Sequence, residues 1–144
     1  LLTESTLTTG EVKAMFYESQ ILAHFIGDYV LQSGWMARNK VIRSVPALVH
    51  AFVYTLPFLV IFRPSVAALS VIMGTHFLID RFRLARYVVY AKEYLSPTVE
   101  WKPWSECSVT GMPKEVPPHL AVWLMIIVDN TMHVIINAAA LAYL

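Results

Sequence analysis

Thr75-His76-Phe77-Leu78-Ile79-Asp80 closes an apolar run that starts at Ser65 and holds no ionisable residue before His76. His76 and Asp80 are four residues apart, about one helical turn, so a helix puts both side chains on one face. The spacing recurs at His24 and Asp28 and, reversed, at Asp129 and His133. The chain has three aspartates, and each lies four residues from a histidine. Polar pairs at a helical repeat inside apolar runs define the fold problem: helices that bury charge among themselves.

Working outward from this stretch, the apolar runs set the architecture. Residues 14–32, 46–62, 65–86 and 119–142 are expected to be four membrane-crossing helices, since a span needs about 20 residues. Local signals support the boundaries. Thr8-Thr9-Gly10-Glu11 reads as a helix start, Ser33-Gly34 as a stop, and Ser44-Val45-Pro46 as a second start with proline in the first turn. Pro57 is expected to kink the second helix. The third is expected to continue unbroken through Arg81, Arg83 and Arg86 toward Leu95. Residues 96–118 hold five of the eight prolines with Trp101 and Trp104, the composition of a long loop at an interface. The expected fold is all-α: a single domain, residues 1–144, forming an integral membrane four-helix bundle with a long loop between helices three and four.

Composition agrees. Hydrophobic residues make up 57% and charged residues 15%, against roughly 45–50% and 25% in soluble domains. Mean hydropathy is +0.55. A net charge of +1 gives no global attraction for nucleic acid. Cys107 is the lone cysteine, which excludes an intrachain disulfide and a cysteine-based zinc cluster. The polar first ten residues lack a basic and an apolar signal region, so no cleavable signal is expected there. The expected location is a bacterial inner membrane, with the lipid bilayer as partner; a homo-oligomer is open.

The linker 33–45 carries Arg38, Lys40 and Arg43 without an acid, and Arg81, Arg83 and Arg86 follow the third run. Basic loops stay cytoplasmic, so both linkers are expected on that side and both termini opposite. His24, Asp28, His50, His76 and Asp80 then fall at one level near the cytoplasmic leaflet. Asp129 and His133 count one to two turns deeper, unless the start at Pro117-Pro118-His119 projects below the bilayer.

Ionisable groups at such depth face a bundle interior. A single pair reads most simply as an interhelical hydrogen bond. Three pairs plus His50 point further, to a metal or proton-handling site. His24, Asp28, His50, His76, Asp80, Asp129 and His133 are candidate N/O ligands for one or two divalent ions, zinc or manganese. Asp28, Asp80 and Asp129 are the candidate catalytic carboxylates, one bridging two ions or serving as base. Arg83 and Arg86 are candidate ligands for a substrate phosphate, or lipid anchors. Gln32, Asn130 and Asn137 read as supporting partners or packing residues. Glu18 and His119 are expected at water or an interface, Tyr87, Tyr90 and Tyr94 as interfacial packing, and Cys107 without a nucleophilic role.

The residues from Ala23-His24-Phe25-Ile26-Gly27-Asp28 through Trp35-Met36-Ala37-Arg38-Asn39-Lys40, His50-Ala51, Thr75-His76…Asp80-Arg81 and Val128-Asp129-Asn130-Thr131-Met132-His133 resemble a family of uncharacterised bacterial and phage membrane proteins, a domain of unknown function. The resemblance covers nearly all of residues 20–140 and implies that these polar positions form one signature. In residue style the chain is also loosely similar to membrane-bound metal-dependent hydrolases. The expected function is a membrane-embedded metal-dependent hydrolase acting near the cytoplasmic leaflet on a phosphoester or lipid-linked substrate. The alternative is a non-enzymatic channel or assembly component whose His–Asp pairs are structural or proton-responsive. A soluble α-bundle is the third.

Overall fold

In the computed structural model, which describes residues 8–144, every described element is helical. Residues 1–7, part of the stretch in which no cleavable signal is expected, lie outside the described residues. Helix α1 (Thr9–Phe25) starts at a reciprocal cap: the Glu11 amide donates to Thr8 Oγ1, and the Thr8 amide donates to Glu11 Oε2. These bonds hold the Glu11 carboxyl below its ordinary pKa.

α1 runs into a π-helical turn, Ile26–Val30, closed by Leu31 N to Ile26 O at 2.9 Å. The wider turn shifts the register of everything after it and brings backbone hard against the neighbouring helix. A Cβ on Gly27 would lie 2.6 Å from Tyr54 Cδ2, so only glycine fits this crossing.

The basic linker is more structured than its sequence announces. Ser33 caps a short helix α2 (Gly34–Asn39), with Lys40 at its C-terminal end. Helix α3 (Ser44–Phe62) passes through Pro57 as one continuous element and ends at Arg63, which is left-handed at φ 48. Ser65 then caps α4 (Val66–Phe82) through the Ala68 amide.

The expectation of one helix running from residue 65 past Arg86 is corrected here. α4 stops at Arg83, again left-handed at φ 52, and a separate α5 (Ala85–Lys92) follows. No glycine marks the break. An arginine in this region costs about 1 kcal/mol or more, offset by Leu84 N to Ile79 O at 2.9 Å and Arg83 N to Asp80 O at 3.2 Å, which satisfy terminal carbonyls.

The segment 96–118 is a folded strap containing a 3₁₀ turn (Thr98–Glu100) and helix α6 (Trp104–Cys107). Trp104 stacks on Tyr87 with ring centroids 4.8 Å apart and meets Tyr90 edge-on, so α5 is its platform. Burial pushes the Cys107 thiol above its ordinary pKa, the wrong direction for a thiolate nucleophile. Gly111, at φ 89, crosses α5 so closely that a Cβ would lie 2.7 Å from Val89 Cβ and 2.8 Å from Tyr90 N. Helix α7 (Pro118–Tyr143), with proline in its first turn, completes the chain.

Two apolar cores result. Ala23, Tyr54, Phe58, Ala68, Ile72 and Ala140 join α1, α3, α4 and the far half of α7. Val89, Met112 and Ala121, with Leu124, Met125 and Val128 packed on them, join α5 and the strap to the near half of α7. Among the described residues, α3 and α7 are long and apolar enough to cross a membrane.

The distribution of side chains is inverted relative to a water-soluble bundle. Gln20, His24, His50, His76, His133 and Asn137 are buried, whereas Phe52, Val60, Val66, Trp123 and Ile135 are more than half exposed.

Gly111→Ala should lower the thermal unfolding midpoint, with a loss of about 2 kcal/mol or more from steric displacement and φ strain. Gly74→Ala, where an added Cβ meets nothing within 4 Å, should be neutral or raise it. Equal midpoints for the two variants would contradict the crossing described for Gly111.

Candidate metal centre

The π turn, α3 and α4 each deliver buried ligands to one point. The π turn presents Asp28, the second turn of α3 presents His50, and the last turns of α4 present His76 and Asp80. His50 Nε2 lies 3.1 Å from Asp28 Oδ1 and 3.1 Å from Asp80 Oδ2. His76 Nε2 lies 3.4 Å from Asp28 Oδ1 and 3.2 Å from Asp80 Oδ2. The two Nε2 atoms are 3.0 Å apart. For four ligands 2.0–2.1 Å from a metal, a tetrahedron has edges of about 3.3–3.4 Å. Five of the six edges of the Asp28–His50–His76–Asp80 set fall at or just under that length.

These four residues can therefore hold a metal ion, and Asp80 carries the arrangement onward. Its other oxygen, Oδ1, is 3.7 Å from His133 Nε2, which is 3.5 Å from Asp129 Oδ2. Asp80, Asp129 and His133 form a second, looser metal-capable group sharing one carboxylate with the first. His133 Nε2 is buried without a hydrogen-bond partner, a polar atom with an unfilled need. Asp129 differs from the rest in exposure: its side chain is 27% accessible, against 5% for Asp80 and 9% for Asp28.

The structure brings six of the seven expected ligands into these two groups. The offset expected for Asp129 and His133 is corrected: the His133 ring sits 4.2 Å from that of His76, centroid to centroid. The first turns of α7 extend beyond the bundle to pack on α5 and the strap, so counting from Pro118 misjudged the level.

His24, the seventh, stands apart. Its Nδ1 pairs with Tyr54 OH at 2.8 Å and its Nε2 with Asn130 Oδ1 at 2.7 Å. With both nitrogens occupied, it supports the cluster from the side, 3.5 Å from Asp28 Oδ2.

Tyr54 and Lys40 are site residues that the spacing argument missed. Tyr54 stacks on His76 at 3.6 Å and accepts a 2.6 Å bond from Asn137 Nδ2. A directional chain follows, Asn137 to Tyr54 to His24 to Asn130, which fixes the His24 proton on Nε2. Tyr54 is four residues after His50, so the same helical template would have found it had tyrosine been admitted. Lys40 Nζ lies 2.8 Å from Asp80 Oδ2 and 3.2 Å from His50 Nε2; only its basic linker was legible. The Nδ1 atoms of His50 and His76 have no partner, a departure from the outer hydrogen bonds that usually orient metal-binding imidazoles. Stacking on Tyr54 supplies that orientation for His76.

The candidate phosphate ligands diverge. Arg83 lines a cavity with Lys40, Asp80 and Asp129 and donates to Val109 O at 2.9 Å. Arg86 donates to Ser108 O and to Tyr87 OH and lies over Trp104, binding the strap instead. Arg81 donates to Val41 O. Asn137 and Asn130 are buried or half-buried supports as read, Gln32 Oε1 is unpartnered, and Glu18 and His119 are exposed.

A family model described as "Protein of unknown function (DUF3307)" matches residues 16–144, a span that includes every residue of both metal-capable groups. No curated protein and no solved structure matches the chain.

Tyr54→Phe cuts the directional chain and leaves Asn137 Nδ2 and His24 Nδ1 unpaired in the interior. A loss of about 1–3 kcal/mol is expected, read as a lowered thermal midpoint. Tyr29→Phe, at an exposed hydroxyl on Asn130, should change it little; the reverse order would refute the buried chain.

Proposed function

We propose that this chain, which belongs to the DUF3307 family of unknown function, is a membrane-embedded bundle whose buried histidines and aspartates hold one or two divalent ions for phosphoester hydrolysis. The observation that carries the metal reading is the set of five interligand distances of 3.0–3.4 Å among Asp28, His50, His76 and Asp80. Two facing imidazole nitrogens and two carboxylates at such separations form a donor set suited to a shared cation. Zinc and manganese suit the mixed N/O donors.

The membrane reading is supported by the apolar exterior and by length. α3 and α7 qualify outright. α1 with its π turn has 17 and 5 residues, and α4 has 17, about 25 Å for α4 alone. That approaches the roughly 30 Å hydrocarbon core. The arginines at residues 81–86 and the basic linker support a cluster toward the cytoplasmic leaflet, since basic loops stay on that side.

A divalent ion at this centre would supply Lewis acidity toward a phosphoryl oxygen and an acidified water. The chain's own residues do the rest. Asp28, His50, His76 and Asp80 would hold an inner ion, and Asp80, Asp129 and His133 an outer one. Asp129, the most exposed carboxylate of the set, is placed to accept a proton at the cavity mouth. Asp28 and Asp80, buried among nitrogens, serve as ligands.

The second reading, a non-enzymatic bundle, is favoured by one observation. The Lys40 ammonium on Asp80 and His50 can balance charge without any metal.

Elemental analysis of detergent-purified protein separates the two. The metal reading expects one to two transition-metal ions per chain, reduced to background by His76→Ala. Asp129→Ala should remove only the outer ion, and should lower phosphate release from a phosphomonoester at least tenfold. Metal at background in the unaltered chain, with Lys40→Met lowering the thermal midpoint, would overturn the hydrolase and leave the structural reading standing.

A further inference from the structure

The cavity beside Asp80 and Asp129 has a divided lining. Lys40, Arg83 and the two carboxylates form one part, while Val41, Met125 and Ile126 form another. Resting on the metal reading above, we infer that this cavity receives the phosphoryl headgroup of an amphiphile. Lys40 and Arg83 hold the phosphoryl oxygens, and the apolar wall takes the start of the alkyl chain.

Charge decides when an anion can enter. Without a metal, Asp80 and Asp129 match Lys40 and Arg83 one for one in the lining, and Asp28 adds a further negative charge behind. An anion gains nothing there. One divalent ion between the carboxylates reverses the local sign. An ion held by the inner group would compete for Asp80 Oδ2 and His50 Nε2, to which Lys40 Nζ is otherwise bound at 2.8 and 3.2 Å. The ammonium, on its flexible four-carbon stem, is then released into the cavity.

Arg83 is a fixed counterpart. It sits at the left-handed break after α4 and is tied by Nη2 to Val109 O, which leaves other guanidinium N–H groups to donate. Metal loading thus assembles the anion site, with Lys40 as its moving part.

Size is compatible with a small headgroup. The cavity measures about 170 Å³, well above the ~10–15 Å³ of comparable volume that one water needs. That accommodates a phosphate and its first carbons. The apolar wall distinguishes a phosphorylated amphiphile from free phosphate.

The test uses the full chain in detergent, loaded with zinc or manganese and assayed for metal by elemental analysis. Inorganic phosphate and hexyl phosphate are then titrated in by calorimetry. Hexyl phosphate should bind at least tenfold more tightly than inorganic phosphate. Lys40→Met and Arg83→Met should each weaken both at least tenfold while metal content stays constant, and Lys40→Arg should restore binding. Unchanged phosphate affinity in a metal-loaded Lys40→Met protein overturns the inference, as does failure of both ligands to bind. Equal affinities for the two ligands overturn the amphiphile assignment. Failure of the metal reading is seen separately, as background metal before any phosphate is added.

Discussion

A carboxylate buried at the meeting point of helices has to be paired, and Asp80 sets that requirement for this fold. It is 6% exposed. His50, His76, His133 and Lys40 all approach its two oxygens within 3.7 Å. Isolated, such a charge would cost several kcal/mol of desolvation. Each partner comes from a different place in the chain: α2's end, α3, α4 itself and α7. Removing any one element would strand charge, so the polar interior fixes which faces the helices present. The apolar contacts, mostly small or aromatic residues such as Ala23, Ala68, Tyr54 and Phe58, complement this choice and do not specify it alone.

Two irregularities make that convergence possible. The π turn carries one extra residue per turn of backbone, letting Asp28 face the bundle while Gly27 closes on Tyr54. The break at Arg83 ends α4 one turn past Asp80 and sends α5 out as a platform for the strap. A straight continuation would have carried Arg83 and Arg86 along the axis as a pair. The break separates them instead, giving Arg83 to the cavity and Arg86 to the strap carbonyl at Ser108.

Much of this was legible in the sequence, for a definite reason. The His–Asp repeats at four residues fell in helical segments, so the all-α class and five of the six metal-capable positions followed from spacing, and His50 from being the lone histidine in an apolar run. The residues that escaped carry no periodic signal. Lys40 reaches the cluster through α2, a six-residue helix hidden in a linker whose charge read only as topology. His24 matched the spacing, yet Tyr54 and Asn130 claim both its nitrogens, which only packing decides. Arg83 ends a helix without glycine, so the break had no mark. The level of His133 was misjudged because α7 begins outside the bundle, on the core of Val89 and Met112.

The gradient of burial across the cluster then bears on how its chemistry would be ordered. His50 and His76 are closed to solvent, Asp28 and Asp80 nearly so, and Asp129 opens onto the cavity. From that side the cavity presents Asp129, Lys40 and Asp80, with Asp28, His50 and His76 behind them. Were two ions bound, Asp28, His50, His76 and Asp80 would offer the inner one four ligands, the count of closed structural sites. Asp80, Asp129 and His133 would offer the outer one three, beside a cavity with room for substrate or water. Asp80 joins the two through a single carboxylate. The inner group can therefore influence chemistry at the outer one by fixing Asp80's orientation and charge without touching the substrate.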